Sequence, residues 1–89
     1  MTSLNVMVAH DPGLHIRPAA LIAQTAEAAK ADVWIVSGDR MADAKSVLSI
    51  LTLVCAKGSV VTVKIDSPED REILNSVATF IGKAAGQIR

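Results

Sequence analysis

The stretch Gly13-Leu14-His15-Ile16-Arg17-Pro18-Ala19-Ala20 constrains the fold of this chain more than any other part of the sequence. Proline lacks a backbone N–H, so a helix tolerates it well only in the first turn, where that N–H would have no internal acceptor. The alanines that follow favour a helix. We therefore predict a helix that begins at about Ile16, with His15 as its N-cap and Gly13 in the turn before it.

The start of this helix has the properties of an anion site. The first N–H groups of a helix have no internal acceptor, and the helix dipole places partial positive charge there. His15 adds a nucleophilic ring, and Arg17 adds a permanent cation that can contact two phosphate oxygens at once. A transiently phosphorylated histidine requires this combination. Spacing alone leaves two alternatives open: His15 as a surface residue that merely caps the helix, and Arg17 as a solvated first-turn side chain.

The rest of the chain alternates short strands with amphipathic helices. Period-two patterns and β-branched residues indicate strands, whereas apolar residues three and four positions apart indicate helices. The predicted order is β-α-β-β-α-β-α, with elements at about residues 4–8, 16–29, 33–36, 40–43, 47–53, 60–65 and 68–84. This alternation favours an α+β fold in which helices cover one face of an antiparallel sheet.

Length, charge and aromatic content exclude several classes of protein. A chain of 89 residues suits one domain, which we place at residues 1–89. Nine Lys and Arg balance nine Asp and Glu, and the aromatic residues are Trp34 and Phe80 alone, so we expect no nucleic-acid partner. No apolar run is long enough to insert into a membrane, and no signal peptide is visible.

The cysteine and histidine content points to a reducing compartment and to no metal. The single cysteine, Cys55, cannot form an internal disulfide, which favours the cytoplasm. His10 has no Cys, His or acidic partner at ligand spacing, so we expect an ordinary surface residue, no metal site and no cofactor.

The helix after Ser46 carries more apolar side chains than one buried stripe can hold. These are Val47, Leu48, Ile50, Leu51, Leu53 and Val54. Some of them must be exposed, and an exposed apolar patch on a small protein usually marks a partner surface. The sequence therefore predicts that this segment contacts another protein.

The motif Gly-Leu-His-x-Arg-Pro-Ala at residues 13–19 resembles the active-site signature of the HPr family, the histidine-containing phosphocarriers of the bacterial phosphoenolpyruvate-dependent sugar phosphotransferase system. The resemblance covers nearly the whole chain and includes Ala44-Lys45-Ser46 before a hydrophobic helix and Lys57-Gly58 before a β-branched strand. It implies an open-faced sandwich with a four-stranded antiparallel sheet. It also implies a carrier rather than an enzyme. His15 would accept a phosphoryl group on Nδ1 from enzyme I and pass it to EIIA-type acceptors in sugar uptake, with Arg17 stabilising the phosphate.

The resemblance further implies which residues meet the partners. The docking residues would be Ile16, Ala20, Gln24, Val47, Leu48 and Leu51. Ser46 matches a serine that an HPr kinase/phosphorylase modifies in some bacteria. Its other interpretation is a plain N-cap worth ~1 kcal/mol, and both can hold. We expect a monomer.

The chain departs from the family pattern at Pro12, Ile16, Ser49 and Val54. Pro12 and Ile16 replace small residues, polar in the first case, whereas Ser49 and Val54 replace glycines. Two other functions stay open, and the departures at Ser49 and Val54 favour the first of them. The chain would be either a nitrogen-related regulatory HPr paralogue, or a non-catalytic regulator that binds partners through Leu48 and Leu51 while His15 is structural.

Overall fold

The computed structural model describes residues 2–10 and 13–84 as an α+β open-faced sandwich. The strands are β1 (Thr2–Val8), β2 (Val33–Ser37), β3 (Arg40–Asp43), β4 (Val60–Ile65) and β5 (Gly82–Ala84). The helices are α1 (Ile16–Ala26), α2 (Val47–Leu51) and α3 (Arg71–Ile81), and a 3₁₀ turn, Pro68–Asp70, leads into α3. Within this part of the chain, no helix has the length and apolar character needed to cross a bilayer.

The sheet has the strand order β3-β2-β4-β1-β5, and every pair of neighbours is antiparallel. The four strands predicted from the sequence form its main part, in the order β3-β2-β4-β1. A two-residue turn at Gly38 and Asp39 joins β2 to β3, since Ser37 pairs with Arg40. Gly38 has φ of +62°, a conformation that such tight hairpin turns require.

The core lies between one face of the sheet and the helices. Alternate strand residues point into it because successive side chains of a strand leave opposite faces. The fully buried strand residues include Val6, Ile35, Val63 and Ile65. The helices contribute Ala19, Ile22, Ala23 and Ala26 from α1, as predicted, with Leu74, Val77 and Ile81 from α3. The opposite face of the sheet carries exposed Met7, Met41 and Val60.

The predicted ends of α1 and α2 are wrong by two or three residues, for the same physical reason at each helix. The helix predicted to about residue 29 ends at Ala26, and the one predicted to about residue 53 ends at Leu51. Beyond each end the N–H groups donate to the carbonyl three residues back, as in the Ala29 to Ala26 and Leu53 to Ile50 bonds. Such bonds tighten the chain into 3₁₀ turns.

The last helix also ends earlier than predicted, and the residues that follow form a strand that the prediction lacks. α3 ends at Ile81, and β5 pairs with β1 from Gly82 to Ala84. A Cβ atom on Gly82 would lie 2.1 Å from the Met7 carbonyl oxygen, so only glycine allows this close approach.

His10 is more than the ordinary surface residue that we expected. It is half-buried, and its Nε2 hydrogen-bonds the carbonyl oxygen of Phe80 in the last turn of α3. Backbone carbonyls at a helix end lack internal partners, so this bond satisfies one of them.

Asp70 is the buried charged residue of the described chain, with 3% of its surface exposed. Its Oδ1 accepts the Lys30 N–H at 2.8 Å, and its Oδ2 accepts the Ala31 N–H at 3.0 Å. The Lys30 N–H is the main cause that holds the pKa of Asp70 below its usual value. Burial opposes the shift, while the Ala31 N–H and the charges of Lys45 and Lys30 reinforce it. The carboxylate therefore joins the start of α3 to the loop between α1 and β2.

We predict that Asp70→Asn destabilises the protein at pH 7 and that the loss shrinks as the pH falls. A lowered pKa in the folded state means that ionised Asp70 stabilises the fold above the unfolded-state pKa, near ~4. That stability is lost as the pH falls through the folded-state pKa. An asparagine also cannot accept both N–H groups, because one of its side-chain atoms is a donor.

Urea unfolding at pH 7, 5 and 3 measures this effect, with the exposed Asp66→Asn as the matched control. A difference between Asp70→Asn and the parent that stays constant across this pH range would contradict the assignment.

Candidate functional site

The segment Gly13–His15 is attached to the loop that follows α2. Gly13 forms a β-bridge with Ala56, and the Leu14 N–H donates to the Cys55 carbonyl oxygen at 3.0 Å. A Cβ atom on Gly13 would lie 2.1 Å from that same oxygen. Glycine is therefore required here because the two backbones lie in direct contact, and this contact fixes the position of the residues that follow.

His15 is the N-cap residue of α1, as predicted, but its ring does not cap the helix. Its backbone is extended, with φ of −98° and ψ of −167°, and its carbonyl oxygen accepts the Ala19 N–H at 3.0 Å. The imidazole makes no capping hydrogen bond. His15 is half-buried at the start of the helix, and backbone hydrogen bonds fix its main chain there.

The first turn of α1 presents donors and a cation together. Residues 2–10 and 13–84 offer no acceptor to the N–H groups of Ile16 and Arg17, and Pro18 has no N–H. The Arg17 side chain is exposed, and no described acidic side chain forms an ion pair with it. No acidic residue occupies the first turn either, so the positive end of the helix dipole is not offset locally.

An open cavity of about 300 Å³ lies beside His15. Gly13, Leu14 and His15 form one side of it, and Leu51 with residues 54–56 forms the other. The lining is mainly apolar, and Cys55, which is buried as predicted, forms part of the wall. The structure thus brings the predicted nucleophile and the apolar segment after Ser46 to the same depression in the surface.

The apolar residues of α2 and its C-terminal loop divide between core and surface, as the sequence predicted. Ile50 and Leu53 are buried, and Val47 and Leu51 are half-buried against the core. Leu48 and Val54 are 77% and 80% exposed.

On α1, which packs beside α2, the residues Ala20 and Gln24 are exposed and Ile16 is 64% exposed. All six residues predicted for docking therefore have exposed or half-exposed side chains on these adjacent helices.

Ser46 and Ser49 hold α2 against the end of β3. The Ser46 Oγ accepts the Ser49 N–H at 3.2 Å, which confirms Ser46 as the N-cap of this helix. The Ser49 Oγ in turn accepts the Asp43 N–H at 3.1 Å. The departure at Ser49 therefore has a structural explanation, since glycine has no side chain to accept this bond. Pro12, the departure closest to His15 on its N-terminal side, lies outside the described residues.

Val54 has a backbone conformation that the sequence analysis did not anticipate. Its φ is +51°, and it is the one residue other than glycine with positive φ in the described chain. β-Branched residues rarely adopt this left-handed conformation. The signal that could have revealed it is the correspondence with a family glycine at the end of the short helix.

The described side chains form no cluster of three or more Cys, His, Asp or Glu residues suited to a metal ion.

Comparison with known proteins gives consistent matches. Residues 2–83 match the family described as "PTS HPr component phosphorylation site". The phosphocarrier protein HPr of Vibrio cholerae is 33% identical over 81 residues, which cover 91% of this chain and 95% of that protein. A crystal structure of a phosphocarrier protein HPr from Bacillus anthracis superposes with a TM-score of 0.82 at 31% identity, covering 90% of this chain and 95% of that one. Crh of Bacillus subtilis, whose structure is described as a swapped dimer, gives 0.72 at 30% identity, covering 91% and 93%.

We predict that Gly13→Ala lowers the free energy of unfolding and displaces His15 from its position in the site. The new methyl group would have to displace the Cys55 carbonyl, a change of the kind that destabilises a packed region by ~1–3 kcal/mol. His15 would then shift relative to Leu51, and its rate of modification by diethyl pyrocarbonate would change. Gly38→Ala is the control, because it also replaces a glycine of positive φ but no atom lies within 4 Å of its new Cβ. If both variants lose stability while neither alters the rate at His15, the contact at Gly13 does not position the ring.

Proposed function

The chain belongs to the HPr family of phosphocarrier proteins, which are carriers and not enzymes, and we propose that its carrier residue is His15. In this proposal, phosphorylated enzyme I donates the phosphoryl group and EIIA-type proteins of sugar uptake accept it. The observation that carries the proposal is the position of His15, whose ring makes no capping bond, at a helix start whose first N–H groups have no acceptor within residues 2–10 and 13–84.

The proposed reaction is a relay in two symmetric steps. A ring nitrogen of His15, Nδ1 by family resemblance, attacks the phosphorus atom carried by enzyme I. A P–N bond to His15 forms while the bond to the donor breaks, and the donor regains its electron pair. The acceptor then attacks the same phosphorus atom, and the imidazole departs as the leaving group. No oxidant, metal or other co-reactant on this chain is required.

Arg17 and the first helix amides would bind the phosphoryl oxygens. The N–H groups of Ile16 and Arg17 have no acceptor among the described residues, and the dipole of α1 favours an anion at this end. The Arg17 guanidinium can contact two oxygens and keeps its charge at every physiological pH. The two amides are held by the helix before the phosphate arrives, so they would stabilise developing negative charge without reorganisation.

The exposed sides of α1 and α2 form the docking surface that we propose for both partners. We define this surface by Ile16, Ala20, Gln24, Val47, Leu48 and Leu51. An apolar surface around His15 would exclude water from the phosphoryl group when a partner docks, which limits wasteful hydrolysis. We propose that the carrier acts as a monomer in the cytoplasm, where Cys55 would remain a thiol.

Ser46 is a candidate regulatory site for an HPr kinase/phosphorylase. Its hydroxyl caps α2 by accepting the Ser49 N–H, and phosphate oxygens could accept the same bond. A phosphate there would place about two negative charges beside Leu48 and Val47 of the docking surface. We propose that such a modification weakens docking and leaves the domain folded.

A regulatory role is the second candidate function. The departures at Ser49 and Val54, and the likeness to Crh, favour an output other than sugar transport. There are two such outputs: that of a nitrogen-related paralogue that uses His15, and that of a regulator that binds through Leu48 and Leu51 without it. Phosphoryl transfer from the phosphorylated chain to sugar-type or to nitrogen-type EIIA proteins distinguishes the sugar carrier from the nitrogen-related paralogue. Partner binding that His15→Ala retains identifies the non-catalytic regulator.

We predict that incubation with phosphoenolpyruvate and enzyme I adds the mass of one phosphate to this chain and adds nothing to His15→Ala. A phosphate on imidazole nitrogen is labile in acid, whereas a phosphoserine is stable there. Intact-mass spectrometry before and after mild acid treatment therefore identifies the site. A folded parent chain that gains no mass with several enzyme I proteins would remove the carrier proposal.

We predict that Arg17→Lys slows phosphorylation of His15 about tenfold, because lysine cannot make the paired contacts of a guanidinium to phosphate. Since the Arg17 side chain is exposed, the free energy of unfolding should change by less than ~0.5 kcal/mol. Rates of phosphorylation by enzyme I and urea unfolding curves measure the two quantities. The surface control Arg71→Lys should change neither. Equal losses of rate and stability in Arg17→Lys would assign Arg17 a structural role.

A further inference from the structure

Val54 combines a disfavoured backbone with an exposed apolar side chain. Its φ of +51° places a β-branched residue in the left-handed region, where its Cβ crowds the following carbonyl. Glycine adopts the same conformation without this crowding. With 80% of its surface exposed, the side chain gains little from burial in the folded chain. Folding alone therefore favours glycine at this position.

The backbone around Val54 explains why the conformation is imposed. The Val54 N–H donates to the Leu51 carbonyl at 3.3 Å as the chain leaves α2, and the next residue, Cys55, is already held by Leu14. The turn between these two contacts is therefore constrained at both ends. The backbone conformation is fixed by these contacts, and the strain arises because a valine side chain occupies it. Strained residues of this kind often occur at functional sites.

Val54 lies where a partner of His15 must dock. Both residues line the same cavity of about 300 Å³, together with Leu51, the last residue of α2. A protein that brings a phosphorus atom to the His15 ring has to cover this cavity and its rim. Leu48, on the same segment, is similarly exposed, so the apolar surface continues past Val54 along α2.

We infer that Val54 is a specificity residue, whose isopropyl group fits an apolar recess in the enzyme I that phosphorylates this chain. The inference rests on the proposed function and names the chemistry of its partner's surface. In the free protein the Val54 side chain is exposed to solvent and its backbone is strained. In the docked complex it is buried, and burial of a valine side chain supplies the compensation that the free protein lacks.

The test compares Val54→Gly and Val54→Ala with the parent chain, using the enzyme I encoded by the same organism together with phosphoenolpyruvate. Removal of one fully buried valine side chain should reduce kcat/KM for phosphorylation of His15 about tenfold, mainly through KM. Val54→Gly should also raise Tm by roughly 2–6 °C, because it relieves the strained backbone. Val54→Ala should lose activity with little gain in Tm, because alanine remains strained.

Two controls separate docking from chemistry. Phosphoramidate phosphorylates histidine without a partner protein, so dividing the kcat/KM of each variant by its phosphoramidate rate removes any change in the reactivity of His15 itself. Val60→Ala removes a valine side chain that is 52% exposed at the start of β4 but is not part of the cavity, so it should leave kcat/KM unchanged.

Three outcomes would overturn the inference. If Val54→Gly is more stable and enzyme I still phosphorylates it at the parental kcat/KM, the Val54 side chain has no role in specificity. If the Tm of Val54→Gly does not rise, the backbone at Val54 is not strained and the inference loses its starting observation. A parent chain that enzyme I does not phosphorylate overturns the proposed function as well. The parental rate thus reports on the proposed function, and the ratio of variant to parent reports on Val54.

Discussion

The hydrogen bond from the Leu14 N–H to the Cys55 carbonyl, beside the Gly13–Ala56 bridge, determines the arrangement of the site. It joins the segment before α1 to the loop after α2, parts of the chain about forty residues apart. His15 and Leu51 consequently line the same cavity. Glycine at position 13 is the condition for this contact, since any Cβ there would overlap the Cys55 carbonyl oxygen. The nucleophile and the apolar surface are thus positioned by one backbone contact.

The elements that the sequence predicted well are those whose signal is local. The bounds of β3 and β4, Arg40–Asp43 and Val60–Ile65, agree with the prediction. The turn at Gly38 and Asp39 marks the start of β3, whereas a run rich in β-branched residues marks β4. The buried stripe of α1 and the N-caps His15 and Ser46 follow equally from spacing.

The features that the prediction lacks depend on contacts between distant parts of the chain. β5 forms because Gly82 can approach Met7 closely. The sequence near residue 82 has no strand pattern that would predict it. The same holds for the bond of Asp70 to the Lys30 and Ala31 amides and for that of His10 to Phe80. At the site, residue types and spacing identified His15 and Arg17 as candidates. The left-handed backbone of Val54 could not be derived from propensity, since valine disfavours it.

The residues that oppose folding stability lie on α1, on α2 and in the loop after α2, the parts of the chain that carry His15 and its cavity. Arg17 places a cation at the positive end of a helix, an arrangement unfavourable by ~0.3–1 kcal/mol. Leu48 exposes a large apolar side chain, and Val54 adds backbone strain to exposure. Met7, Met41 and Val60 are also exposed on the open face of the sheet, but they lie in ordinary strands and carry no strain. Single exposed apolar residues need no explanation. The cation at a helix start, the exposed leucine and the strained valine share one explanation. In the proposed complex, in which an anion and a partner protein cover His15, each would become favourable, and sites of function are where local consistency with the fold is expected to fail.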